Sequence, residues 1–174
     1  RRRRRPRRAG LPQVVVLPLD AGVIDAASPG GHPASWVATG RSGGVSTGDF
    51  ATANLADHLG DDASAVAENR ARCASLAGLA VTDLAVMYAV HGAAVAVVES
   101  GGVVPSVDAL VTTHAGIALL ALGADCVPIA IADPSAGVIA AVHCGWRGLV
   151  AGVVPATVAV MRELGRSEEH TSEL

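Results

Sequence analysis

Short runs of apolar, largely β-branched residues recur along the chain, each closed by glycine, proline or aspartate. That pattern predicts strands at 13–18, 34–39, 84–90, 93–98, 116–122, 127–132 and 137–143. Two of the joints are very short. "HG" at 91–92 parts one pair of strands, and "ADPSAG" at 132–137 parts another. Gaps of that length suit antiparallel hairpins, since a parallel crossover needs a dozen or more residues. A helical period shows in two places. "DDASAVAENRARCASLAGL" has Asp61 or Asp62 at the N-cap and carries Val66, Cys73, Leu76 and Leu79 close to one stripe. A second helix is expected from about Gly148 to Leu164, with Gly165 as its stop. Pro155 lies inside it and predicts a kink or a break, because an interior proline costs about 3 kcal/mol. The elements add to a mixed α+β domain in which strands dominate.

Composition changes this picture mainly at the ends. The 174 residues suit one domain with a sizeable core, 51% hydrophobic but only 2% aromatic, so Ala, Val and Leu must fill it. Lysine is absent, and seven of the 13 arginines sit in "RRRRRPRR" at 1–8. Between residues 9 and 165 five arginines face 13 acids, so the body offers no basic face to nucleic acid. Residues 1–8 read as a low-complexity, disordered leader; the competing reading is an arm that holds RNA or DNA electrostatically. The stretch that follows is interrupted by Pro12, Gln13, Pro18 and Asp20, too soon for a signal peptide, and no later run reaches membrane-spanning length. A cytoplasmic protein without membrane contact is expected. Cys73, Cys126 and Cys144 make no disulfide framework, so each is core filler, metal ligand or nucleophile. "RSEEHTSEL" at 166–174 matches one reading frame of a common sequencing-library adapter and is read as an artefact tail, which leaves 9–165 as the domain.

Candidate chemistry gathers in "GADCVPIAIADPSAGVIAAVHCGWRG". Cys126 starts one predicted strand and His143 ends the next, and an antiparallel hairpin brings those ends together. A thiolate beside an imidazole is part of a zinc site, which takes Cys sulfur and His nitrogen in tetrahedral geometry, or it is a nucleophile with its base. The residues alone allow either. Side chains alternate across a strand, so Cys144 faces away from His143 and reads as packing. His91 ends an apolar strand beside Gly92 and is the candidate third ligand. With Cys126 and His143 it would leave a fourth position open, the catalytic zinc pattern, in which the ion lowers the pKa of water toward 7. In "GWRG", Gly145 and Gly148 bracket Trp146 and Arg147 where a helix is expected to start, a place where N–H groups and an arginine can hold phosphate. The segment 41–62 lacks regular periodicity and reads as a binding loop, with Arg41, Ser46 and Asn54 as hydrogen-bonding candidates for a sugar or base. His58, Asp57, Asp61 and Asp62 read as loop closure and capping, and His32 and His114 as surface or turn histidines.

"GRSGGVSTGDF", "NLADHLGDD", "ENR", "VHG", "DALVTT", "ADCVPIAIADP" and "VHCGWRGLVAG" stand in an order that resembles the laccase-domain (multicopper polyphenol oxidase-like) family over about residues 34–165. That family includes bacterial purine nucleoside phosphorylases and a peptidoglycan editing factor. The resemblance implies an α/β/β/α layered sandwich of mixed, mostly antiparallel sheets, shared distantly with toxin deamidases that use a Cys–His pair. It implies zinc on His91, Cys126 and His143, cleavage of adenosine, inosine and guanosine by phosphate, and deamination of adenosine. Catalytic roles then fall to Cys126, His143 and Arg147, with Arg147 on phosphate and Arg41, Ser46 and Asn54 around the purine nucleoside. An older oxidase reading rests on copper, but one Cys and two His are sparse for a multicopper cluster. The sequence departs from the family at Ala89, where Gln is usual, at Cys144, where Ala is usual, and at Pro155. The family's C-terminal strands and helices are also missing, so the sandwich is expected to be incomplete at the C-terminus. Competing readings are a Cys126–His143 hydrolase or deamidase, including peptidoglycan-precursor editing, a copper polyphenol oxidase, and an RNA-binding module led by the arginine arm.

Overall fold

Alternation along the buried strands sorts their side chains onto two faces, and so builds four layers. The computed structural model describes residues 13–16, 22–26 and 34–171, and the expected leader at 1–8 lies outside them. Strands β1 (Gln13–Val16), β2 (Gly22–Ala26), β3 (Ala34–Ala38), β4 (Leu84–Tyr88), β6 (Gly102–Pro105) and β8 (Ala118–Ala121) form a six-stranded sheet in the order β2-β3-β1-β8-β4-β6. Strands β5 (Val95–Val97), β7 (Ala109–Thr112), β9 (Val127–Asp133) and β10 (Val138–Cys144) form a four-stranded sheet in the order β5-β7-β10-β9. Ala85, Met87, Leu119 and Ala121 point from the first sheet onto Leu110, Ile139 and Ala141 of the second, which makes the central core. Leu84, Val86, Ala118 and Leu120 point the other way, onto Leu55 and onto Cys73 and Ala77 at helix α1 (Ala63–Leu76). On the far side, Val111, Val138 and Ala140 pack on Met161 of helix α3 (Val153–Thr171). Helix, sheet, sheet and helix therefore stack in the layered α/β/β/α arrangement that the family resemblance implies.

The pairing differs from expectation in two respects. β9 and β10 do form the antiparallel hairpin, with His143 opposite Pro128 and Cys144 opposite Val127. "HG" at 91–92 makes no hairpin, because β4 belongs to one sheet and β5 to the other. A short joint can step between facing layers as readily as it can reverse a strand within one. Among the described strands, β1 pairs in parallel with β3 and β8, β4 with β6 and β8, and β5 with β7. The antiparallel pairs are β2–β3, β7–β10 and β9–β10, so parallel pairs outnumber them, and the sheets are mixed rather than mostly antiparallel.

Both helices shift at their ends. Asp62 is the N-cap of α1, its carboxylate accepting from the N–H groups of Ser64 at 2.8 Å and Ala65 at 3.0 Å. Val66 and Cys73 face inward as expected, but Leu76 is exposed, and Leu79 beyond the helix packs on the core instead. Burial pushes the Cys73 thiol up to about 11. The second expected helix is two. α2 (Trp146–Ala151) ends at Gly152, whose φ of 86° is left-handed, and α3 starts at the next residue. Pro155 then sits in the first turn of α3, where an N–H needs no intrahelical partner, so it breaks nothing. Gly165 does not stop the helix, which runs through 166–171 of the segment read as a tail.

Candidate metal centre

The β9–β10 hairpin and the crossover from β4 to β5 converge at one end of the sandwich. Cys126 immediately precedes β9, and His143 is the penultimate residue of β10. His91 lies in the crossover with φ 63°, a left-handed conformation that a non-glycine residue seldom adopts. One ligand atom from each of His91, Cys126 and His143 lies within 4.8 Å of the others, close enough for a single ion to touch all three. The two imidazoles stand edge to face, centroids 4.9 Å apart and planes at 87°. His143 is buried, Cys126 half-buried and His91 exposed, so the cluster opens to solvent on one side.

Gly145 makes the convergence possible. A Cβ there would lie 2.8 Å from Cys126 Sγ, 3.1 Å from His91 Cδ2 and 3.7 Å from His143 Cε1. The space that a side chain would fill is left to the donors. Two imidazoles and one thiol suit zinc or another borderline to soft ion, and the residues present therefore fit a single resident metal. Cys144 takes no part. It is buried with Ala109, Val142 and Val153 on the opposite face of β10.

A carboxylate that the sequence reading did not assign stands behind the cluster. Asp108 is fully buried. Its Oδ1 accepts from the His91 N–H at 2.8 Å and lies 3.0 Å from His143 Nδ1, while its Oδ2 accepts from the Gly92 N–H at 2.8 Å. The available signal was an acid placed directly before an apolar strand in "VDALVTT".

A cavity of about 800 Å³ opens over the cluster, within the range of about 300–1,000 Å³ usual for small-molecule sites. His91, Cys126 and His143 share its wall with Arg41, Asn54 and Phe50. Phe50, the chain's one phenylalanine, had been passed over in the sequence. Arg41 donates through Nη2 to the carbonyls of Asp49 at 3.4 Å and Ala51 at 3.3 Å. Ser46 does not line the cavity. It is buried, its hydroxyl donating to Asp61 at 2.6 Å and accepting from Asn69 at 2.9 Å. The Asn54 amide also donates to Asp61, at 2.9 Å. Those hydrogen bonds from Ser46 and Asn54 hold the Asp61 carboxyl below its usual range. Asp57 closes the loop as expected, ion-paired with Arg70 at 3.1 Å and accepting from the Tyr88 hydroxyl. Burial raises its pKa, but those contacts outweigh burial and hold it low. Arg147 is exposed and outside the cavity lining, its guanidinium stacked 5.2 Å from the centre of the Trp146 ring. Among the described residues no helix is long and apolar enough to cross a membrane.

Residues 35–172 match the family model described as multi-copper polyphenol oxidoreductase laccase. A purine nucleoside phosphorylase of Corynebacterium glutamicum is 46% identical over 146 residues, covering 82% of this chain and 59% of that protein. Another, of Streptomyces coelicolor, is 50% identical over 130 residues, covering 73% and 54%. The chain thus spans little more than half the length of these curated relatives. The crystal structure of YlmD from Geobacillus stearothermophilus superposes with a TM-score of 0.67 at 33% identity, over 86% of this chain and 52% of that one. A crystal structure of a Neisseria meningitidis protein gives 0.67 at 34% identity, over 80% and 57%. On the family-model match and these identities, the chain belongs to the multi-copper polyphenol oxidoreductase laccase family.

Proposed function

We propose that the protein is a zinc-dependent purine nucleoside phosphorylase acting on adenosine, inosine and guanosine, with adenosine deamination as a second activity at the same site. The observation that carries this reading is the convergence of His91, Cys126 and His143 on the wall of a nucleoside-sized cavity, in a chain whose relatives are named purine nucleoside phosphorylases. Zinc in that cluster would supply Lewis acidity at the cavity wall. In phosphorolysis the bond between ribose C1′ and purine N9 breaks, a bond from C1′ to a phosphate oxygen forms, and N9 leaves with the electron pair. In deamination, water replaces the amino group at purine C6 and ammonia leaves.

The chain's own groups divide the binding. Phosphate is assigned to Arg41 rather than Arg147. Arg41 lies in the cavity with Nη1 and Nε free of protein partners among the described residues, whereas Arg147 points outside it. Phe50 offers a face to the purine. Asn54 borders the nucleoside, its side chain held in place by Asp61, and Ser46 supports that wall from behind. Incubation with inosine and phosphate is expected to yield hypoxanthine and ribose 1-phosphate; absence of hypoxanthine refutes phosphorolysis. Elemental analysis is expected to find one zinc per chain that is lost in Cys126→Ser. A copper content matching or exceeding zinc would revive the oxidase reading.

A second reading has one observation in its favour. Cys126, His143 and Asp108 form a thiol–imidazole–carboxylate series with the carboxylate 3.0 Å from Nδ1, the order used for nucleophilic cysteine in hydrolases and deamidases. It leaves His91 without a role. It predicts activity that survives a chelator and is abolished by alkylation of Cys126.

A further inference from the structure

We propose that Asp108 is a positioning residue that sets both histidines of the cluster from one buried carboxylate. The proposal rests on the metal reading above but is tested apart from it. A fully buried carboxylate is tolerated when its oxygens are hydrogen-bonded, and those of Asp108 are. Among the described residues its side-chain partners all lie in the two segments that carry the histidines. Oδ1 accepts from the His91 N–H at 2.8 Å and faces His143 Nδ1 at 3.0 Å. Oδ2 accepts from the Gly92 N–H at 2.8 Å and the Val90 N–H at 3.4 Å. The backbone adds a link, since the His143 N–H donates to the Asp108 carbonyl at 2.8 Å.

Two consequences follow. A carboxylate oxygen stands 3.0 Å from Nδ1 and accepts, so the imidazole hydrogen sits on Nδ1, and Nε2 keeps the lone pair that a cation requires. The second consequence concerns His91. Three successive N–H groups, from 90 to 92, turn toward one anionic group and form a nest, which stabilises the left-handed turn at His91. That turn sets the His91 ring edge to face with His143. Asp108 therefore selects the donor nitrogen of one histidine and the backbone conformation of the other, without being a ligand itself.

Asp108→Asn preserves size and separates these effects from bulk. If its amide group faces His143 Nδ1, the hydrogen moves to Nε2. If the amide faces Gly92, two donors meet and the crossover is released. Either orientation removes one histidine from the cluster, so zinc affinity should fall by about 10–100-fold, as with loss of other carboxylates behind metal-ligating histidines. Nitrogen-15 correlation spectra of the unmodified, metal-free chain read the tautomer directly, and competition with a chelating dye reads the affinity of both proteins. The expected results are Nδ1–H at His143 and the stated loss in D108N, with circular dichroism unchanged. Nε2–H at His143 in the unmodified chain, or a D108N affinity within about twofold of the parent, overturns the proposal. A parent protein that takes up no zinc refutes the metal reading and leaves the tautomer to decide this one, as it also does if D108N fails to fold.

Discussion

Gly145→Ala adds one methyl group where three ligand side chains meet. The new Cβ would lie 2.8 Å from Cys126 Sγ, against an ordinary contact of about 3.5–4.0 Å, an overlap of roughly 0.7–1.2 Å. Backbone strain is not involved, because Gly145 has φ −75° and ψ 163°, which alanine adopts freely. Sγ ends a side chain with one rotatable bond, so it can swing aside and spare the fold. Metal binding has no such freedom, since ligand positions must hold to about 0.2 Å. Displacing one of three protein donors by several times that tolerance should weaken zinc at least about tenfold to hundredfold, or about 1.4–2.7 kcal/mol. The metal-free protein should lose only about 0.5–1 kcal/mol, from the poorer N-cap of α2. Chelator competition measures the first quantity, and thermal or urea unfolding of the apo protein the second. Unchanged zinc affinity in the variant, with the apo stability loss as stated, would refute the claim that Gly145 clears space for the cluster.

Asn69→Ala should destabilise the protein by about 2–3 kcal/mol, read by urea unfolding. Buried Asn69 accepts from the Val45 N–H and donates to Ser46, Thr52 and Asn54. Alanine removes these bonds, leaving the Val45 N–H and the Asn54 carbonyl without them, while Ser46 keeps Asp61 and the Thr52 carbonyl keeps the Ser46 N–H. Iodoacetamide should label Cys126 before Cys73 in a mass-spectrometric time course, because Cys73 is buried with its thiol pushed up to about 11; the reverse order would contradict the burial described. Asp57, Asp61, Asp62 and Asp133 are all held below the usual carboxylate range by hydrogen bonds, in Asp57 against the opposing pull of burial. A depressed folded pKa contributes stability that is present above the unfolded value, near 4, and lost as pH falls through the lower folded value. The unfolding midpoint should accordingly be flat above about pH 5 and fall below about pH 4, and Asp61→Asn should remove part of that slope.

What was legible in the sequence follows from which signals are local. The continuously apolar runs "LAVM" and "ALLA" mark strands buried on both faces, and the structure sets Leu84, Val86, Ala118 and Leu120 on one side of a sheet and Ala85, Met87, Leu119 and Ala121 on the other. The "ADPSAG" turn and its flanking strands gave the hairpin that joins Cys126 to His143. Sheet membership is not local. Nothing in "VHGAA" tells a step to the facing layer from a reversal within one, so β5 was placed in the wrong sheet and the parallel pairs were missed. Glycine and proline also trade places in the final helices. Pro155 is conspicuous in sequence but harmless in a first turn, whereas Gly152 breaks the helix through a positive φ that composition does not reveal. At the site, Ser46 and Arg147 had suitable chemistry, but their partners come from Asp61, Asn69 and Trp146 and draw them away from the cavity. Asp108 was missed for the converse reason. Its part depends on burial and on three backbone N–H groups, none of which a residue type announces.

The donors of the cluster do not share a strand, although Asp108 ties the two histidines together. Cys126 immediately precedes β9 and His143 lies in β10, both of the four-stranded sheet, while His91 lies in the crossover that joins β4 of the six-stranded sheet to β5 of the four-stranded one. A bound ion would therefore act as a rivet through both layers and register any slip between them. Repacking the interlayer core away from the cavity lining, at Leu119, should then alter metal affinity with every donor left in place, and loading the metal should slow hydrogen exchange in both sheets at once.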